Sequence, residues 1–162
     1  MNGELSLLDA TAQAELVRTG QVTAAELVTA AIERIEGLNP VLNAVVTPVF
    51  DRAAEAAEAA HAAAAGPFAG VPYLLKDLAC EMKGVRFTEG SRFLASYVSA
   101  YDSELVVRLR RAGLVILGKT STPEFGMAPA CEPVLFGPVR NPWDPRLSTS
   151  GSSGGSAAAV AS

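Results

Sequence analysis

The chain has 162 residues, 49% apolar and 19% charged, with 13 basic side chains against 17 acidic ones. This size suits one domain, and this balance suits a packed core rather than a disordered chain. No apolar run approaches the roughly 20 residues of a membrane helix, and the basic cluster at Arg108, Arg110 and Arg111 falls on a helical pattern. Neither a membrane nor nucleic acid is an expected partner. The first residues lack the basic start and apolar core of a secretory signal, which points to the cytoplasm. Cys80 and Cys131 have no metal-ligand spacing and read as small buried thiols, and His, Cys and Asp do not cluster, so no metal site is expected.

Ser6 and Asp9 suggest a helix start, with the helix reaching about Thr19 before Gly20. Thr23 and Glu26 have the spacing of a capping box. The helix they open carries Leu27, Ala30, Ala31, Arg34 and Ile35 and is expected to close at Gly37. Asn39-Pro40 reads as a turn, and Leu42 to Val46 as a short strand. Residues 50–65 form an alanine-rich helix pattern with little bulk to bury. His61, the only histidine, lies on it and reads as non-catalytic. The apolar run from Gly70 to Lys76 predicts a strand buried on both faces. Residues 90–98 suggest a short helix. Asp102 and Ser103 are placed to cap a helix through Leu105, Val106 and Leu109, stopped by Gly113. Leu114 to Leu117 is a second apolar strand. Helices alternating with buried strands predict an α/β domain with a mainly parallel sheet. The helical part covers 1–37 and the α/β part 38–162. A proline-marked irregular segment follows Lys119.

Three places bear on chemistry. Ser148 to Ser162 runs from glycines and hydroxyls into alanines. That pattern is either a flexible linker or a tight loop opening a helix, with free N–H groups at its start. Gly118-Lys119-Thr120 has the end of a phosphate-binding loop but lacks the glycine-rich part before it, and Pro123 follows. Lys119 therefore reads as a solvated or structural strand-end residue. A single histidine on a bland helix argues against Ser-His-Asp chemistry. Lysine and serine remain. Burial favours the neutral form of a lysine, and a neutral lysine can take a proton from a serine. Lys76, at the end of an apolar strand, either has that setting or marks a solvated strand end.

Four motifs, Gly70–Asp77, Gly118–Glu124, Asn141–Trp143 and Gly151–Ser156, resemble the amidase signature family in order and spacing. Residues 10–18 and 66–78 look most like its 6-aminohexanoate cyclic-dimer hydrolase branch. The resemblance implies an α/β/α sandwich with a mixed, mainly parallel sheet. It also implies hydrolysis of a small-molecule amide through an acyl-enzyme, by a Ser-Ser-Lys triad and with no cofactor. It places the triad lysine at Lys76 and the middle serine, which follows a cis peptide bond, at Ser152. Gly151, Ser153, Gly154 and Gly155 form the supporting loop. Ser150 departs from the pattern, because the family usually has glycine there.

In this family the nucleophilic serine belongs to a second glycine-serine motif, downstream of the first. Ser162 does not fit that role, because no Gly-Gly precedes it. The resemblance therefore implies the N-terminal portion of one amidase domain, inactive alone, with a homo-oligomer or a complementing C-terminal portion as its candidate macromolecular partners. The alternatives are a truncated non-catalytic product or interaction module and, more remotely, nucleotide binding at the glycine loop.

Overall fold

The structure, a computed structural model, describes residues 5–62 and 66–162. The side chain of His61 and the expected reach of its helix to residue 65 lie outside the described residues. Among the described residues the main helices and strands follow one another as α1 (Ala10–Arg18), α2 (Ala24–Leu42), β1 (Val45–Pro48), α3 (Phe50–Ala62), β2 (Pro72–Lys76), α4 (Glu104–Arg111), β3 (Val115–Thr120) and α5 (Gly154–Ala161). Among the described residues no helix is long and apolar enough to cross a membrane.

The helix starts show where local chemistry decides. Asp9 itself caps α1, accepting from Ala12 N at 2.8 Å, so the cap lies at the end of the segment expected to open with Ser6. The Thr23–Glu26 box forms in both directions. Glu26 N donates to Thr23 Oγ1 at 3.1 Å, and Thr23 N donates to Glu26 Oε2 at 2.8 Å. Before α4 the Ser103 side chain does not cap the helix. The buried Ser103 hydroxyl has no partner, and Asp102 instead accepts from Lys83 N at 2.7 Å. The expected helix at 90–98 shrinks to a 3-10 turn over Arg92–Leu94.

The largest correction concerns α2. It passes Gly37 and Pro40 and ends at Leu42, so the expected turn at Asn39-Pro40 is helical. A proline inside a helix removes one donor. Only the last turn is affected here, and local partners hold it. Asn43 N donates to Asn39 O at 2.8 Å, and Asn43 then turns the chain with φ 54°. The Asn39 side chain reaches forward to accept from Val45 N at 2.8 Å and to donate to Val45 O at 2.9 Å. The strand expected from Leu42 thus begins at Val45.

The strand order is β1-β3-β2, with β3 in the centre. β1 and β3 run antiparallel, pairing Val45 with Thr120 and Pro48 with Gly118. β2 and β3 run the same way. Val115 N donates to Val71 O at 2.8 Å, and further along Asp77 N donates to Thr120 O at 3.0 Å. The sheet is therefore mixed, with one pair of each kind. Every residue of the central strand is buried. In β2, at the edge, only Leu75 is fully buried and Tyr73 is exposed. The strand expected to be buried on both faces is only partly covered: Tyr73 and Leu75 share a face and differ in burial, while Pro72, Leu74 and Lys76 on the other face are half-buried.

The chain divides into two compact units. The first comprises Met1–Arg34, Val49–Tyr73 and Val107–Leu117. Its buried side chains include Leu27 and Val28 of α2, Ala53 and Ala57 of α3, and Val115 to Leu117 of β3. With Ala24, also buried, Leu27 and Val28 take the i, i+3 and i+4 positions, and Ala53 and Ala57 the i and i+4 positions, that bring one helix face inward. Gly70 (φ 81°) lies so close to α2 that a Cβ there would stand 2.6 Å from Ala24 Cβ. The second unit comprises Ile35–Pro48, Leu74–Val106 and Gly118–Ser162. One of its apolar clusters joins Leu42, Ala44, Cys131, Val139 and Ala158. All the residues singled out for chemistry lie in this unit.

Candidate functional site

The loop from Ser148 to Ser153 opens α5, so the terminal glycine-serine stretch is an ordered turn into a helix. Ser150 has φ 60°, a left-handed conformation in which glycine carries no Cβ penalty. That explains why a glycine would suit this position. Its carbonyl accepts from Cys131 N at 3.2 Å, which pins the turn. The Gly151–Ser152 peptide is cis. A Cβ on Gly151 would stand 3.0 Å from Ala128 O, so the turn runs close against its neighbour.

Lys76, the last residue of β2, points its amine at this turn. Nζ donates to Ser152 Oγ at 2.7 Å and to Ser153 Oγ at 3.1 Å. Lys76 and Ser152 are half-buried, while Ser153 is exposed. Ser153 occupies the N-cap position of α5, yet its hydroxyl makes no cap hydrogen bond. Gly154 and Gly155 are buried. A Cβ on Gly154 would meet Cys131 Cβ at 2.5 Å, and one on Gly155 would meet Ser121 N at 2.5 Å. The helix can start here only because these two positions carry no side chain. Residues 76 and 151–155, grouped by their motifs, are thus brought together.

Lys119 is not a solvated strand end. It is fully buried (0% exposed), with its amine 3.7 Å from Asp77 Oδ1 and 4.7 Å from the centre of the Phe87 ring. It also donates to the carbonyl of Cys80. Asp77 is equally buried and accepts from Thr88 Oγ1 at 2.5 Å and Thr88 N at 3.1 Å. Burial drives both groups toward neutrality, Asp77 up and Lys119 down. The Thr88 hydrogen bonds and the neighbouring opposite charge act the other way. One feature of the chain hinted at this pair: each residue follows an apolar strand run. The residues that meet them, Thr88, Phe87 and the Cys80 carbonyl, carry no such mark.

Both cysteines are buried and unpaired with each other, as expected. Burial pushes each thiol up, away from the reactive thiolate. Among the described residues no group of three His, Cys, Asp or Glu side chains is placed to hold a metal ion. What the site offers chemically is an amine in hydrogen-bond contact with two hydroxyls, on a turn at a helix start. Such a set can pass a proton between nitrogen and oxygen.

A family model described as amidase matches residues 26–162. The 6-aminohexanoate-cyclic-dimer hydrolase of Paenarthrobacter ureafaciens is 48% identical over 155 residues, which are 94% of this chain and 31% of that protein. A glutamyl-tRNA(Gln) amidotransferase subunit from Alkalilimnicola ehrlichii is 46% identical over 152 residues, 91% of this chain and 31% of that one. Among solved structures, a 6-aminohexanoate cyclic dimer hydrolase complexed with substrate superposes with a TM-score of 0.91. It is 47% identical, and the match covers 97% of this chain and 32% of that chain. The chain thus spans about a third of the length of the relatives it matches.

Proposed function

Because this chain belongs to the amidase family, we propose that it supplies two of the three side chains of an amide-hydrolysing relay. The observation that carries this reading is the 2.7 Å contact between Lys76 Nζ and Ser152 Oγ. In the relay, Lys76 in its neutral form takes the proton of Ser152, reversing the direction of that hydrogen bond. Ser152 takes the proton of a nucleophilic serine, whose oxygen adds to the amide carbonyl. As the C–N bond breaks, the proton returns through Ser152 to the leaving amine. Water then cleaves the acyl-enzyme by the same route, releasing the acid.

The nucleophile of this relay comes from outside the 162 residues, within a longer amidase domain of which these residues form the N-terminal portion. The substrate class is a small-molecule amide, in keeping with the relatives. The 162-residue chain alone therefore turns over no amide.

The test uses the longer parent protein and a chromogenic amide. Lys76→Ala lowers kcat by at least the roughly 10²–10⁴-fold expected for loss of a general base. Turnover that survives this substitution at the parental rate refutes the relay.

A further inference from the structure

The contact between Lys76 and Ser152 joins a strand end to a helix start, and neither segment fixes that distance by itself. Thr120, the last residue of β3, touches both. It is fully buried (0% exposed). Its hydroxyl donates to Leu75 O at 3.3 Å, and its carbonyl accepts from Asp77 N at 3.0 Å. Thr120 therefore grips the main chain immediately before and immediately after Lys76.

On its other side, Thr120 Oγ1 lies 2.7 Å from Ser156 Oγ. A hydroxyl has one proton. With that proton given to Leu75 O, Ser156 is the donor and Thr120 the acceptor. Ser156 stands on the first turn of α5, four residues beyond Ser152. The preceding residue adds a second tie to the same turn, since Gly155 N donates to Ser121 O at 3.2 Å. The absence of a side chain at Gly155 is what lets α5 come this close to the end of β3. Leu75 O, Thr120 Oγ1 and Ser156 Oγ thus form one chain of hydrogen bonds alongside the Lys76–Ser152 contact.

We infer that Thr120 is a positioning residue that holds Lys76 Nζ and Ser152 Oγ within hydrogen-bond distance, by tying β2 at Leu75 to α5 at Ser156. Its effect on turnover rests on the relay proposed above; its effect on geometry does not. Valine matches threonine in shape but lacks the hydroxyl. In Thr120→Val, Leu75 O loses a donor and Ser156 loses its acceptor. The crystal structure of the parent protein carrying this change has the Nζ–Oγ separation beyond about 3.5 Å, outside hydrogen-bond range. Its kcat falls roughly 10–100-fold, the scale of an ångström-sized misplacement, while KM stays within about twofold. Thr120→Ser keeps the hydroxyl and recovers most of the kcat, which a purely volumetric role of Thr120 does not predict. Ser156→Ala breaks the same link from the half-buried helix side and moves kcat in the same direction. It serves as the test if Thr120→Val fails to fold.

An unchanged separation and unchanged kcat in Thr120→Val, in a parent that Lys76→Ala inactivates, overturns the inference and leaves the relay standing. If Lys76→Ala leaves the parent active, the relay fails instead. The crystallographic separation then decides the role of Thr120 alone: widened supports it, unchanged overturns it.

Discussion

The adjacent strands β2 and β3 both carry a lysine toward the C-terminal end, Lys76 and Lys119, and use it in opposite ways. Lys76 is on an edge strand, half-buried, with two serine hydroxyls as partners. Lys119 is on the central strand, fully buried, enclosed by a carboxylate, a backbone carbonyl and an aromatic ring. The same residue type at the same kind of position is therefore sorted by its place in the sheet. In the centre, desolvation must be offset by a fixed counter-charge, and the lysine becomes part of the core. At the edge, the amine stays partly exposed and meets two hydroxyls rather than a counter-charge.

The largest test of this contrast is Lys119→Met. It leaves Asp77 buried without its cation, and removal of one partner of such a pair costs about 3–5 kcal/mol. Urea unfolding at neutral pH measures it, and a loss below about 1 kcal/mol would break the distinction between the two strand ends. Lys76→Met comes next. It removes the contacts to Ser152 and Ser153 but strands no buried charge, so thermal unfolding changes by less than about 1 kcal/mol. A destabilisation equal to that of Lys119→Met would mean that the edge lysine is structural as well.

The smallest effect belongs to an exposed carboxylate far from either lysine in sequence. The hydrogen bonds from Thr23 hold Glu26 below its ordinary value of 4.5. Glu26 therefore binds a proton less readily folded than unfolded. Its contribution is complete above about pH 4.5 and is lost as the pH falls through its lower folded value. Thr23→Ala removes the hydroxyl hydrogen bond to Glu26 but keeps the one from the main-chain N–H, so it weakens that pH dependence, which acid titration of helicity at α2 would register as a slightly shallower loss below pH 4.5.

The parts legible in the sequence were those set by neighbours in the chain. The Thr23 box lies within four residues, and so does the pattern of glycines that lets α5 begin. The Lys76–Ser152 pair was legible differently, through the order of motifs that resemble a family, although 76 positions separate the two residues. The rest depended on partners with no local mark. The burial of Lys119 depends on Asp77, Cys80 and Phe87, at least 32 positions away, and neither strand shows them to the other until the sheet forms. Asn39-Pro40 reads as a turn because propensity counts the donor that proline lacks. Propensity does not count Asn39, whose side chain ties the helix end to the following strand.

That asparagine also bears on how copies of the chain behave toward one another. β1 is an outer strand, and an outer strand ordinarily offers unpaired N–H and C=O groups to any passing strand. Here both main-chain groups of Val45 are taken by the Asn39 amide, and Val46 O accepts from Arg86 Nη2 at 3.1 Å. Side chains fill the places of a fourth strand. With four residues of strand and a bulge between Val45 and Thr47, little template is left for sheet-to-sheet growth on this edge. β1 is thereby made a poor template for another strand, in part by an asparagine in the last turn of the helix that precedes it.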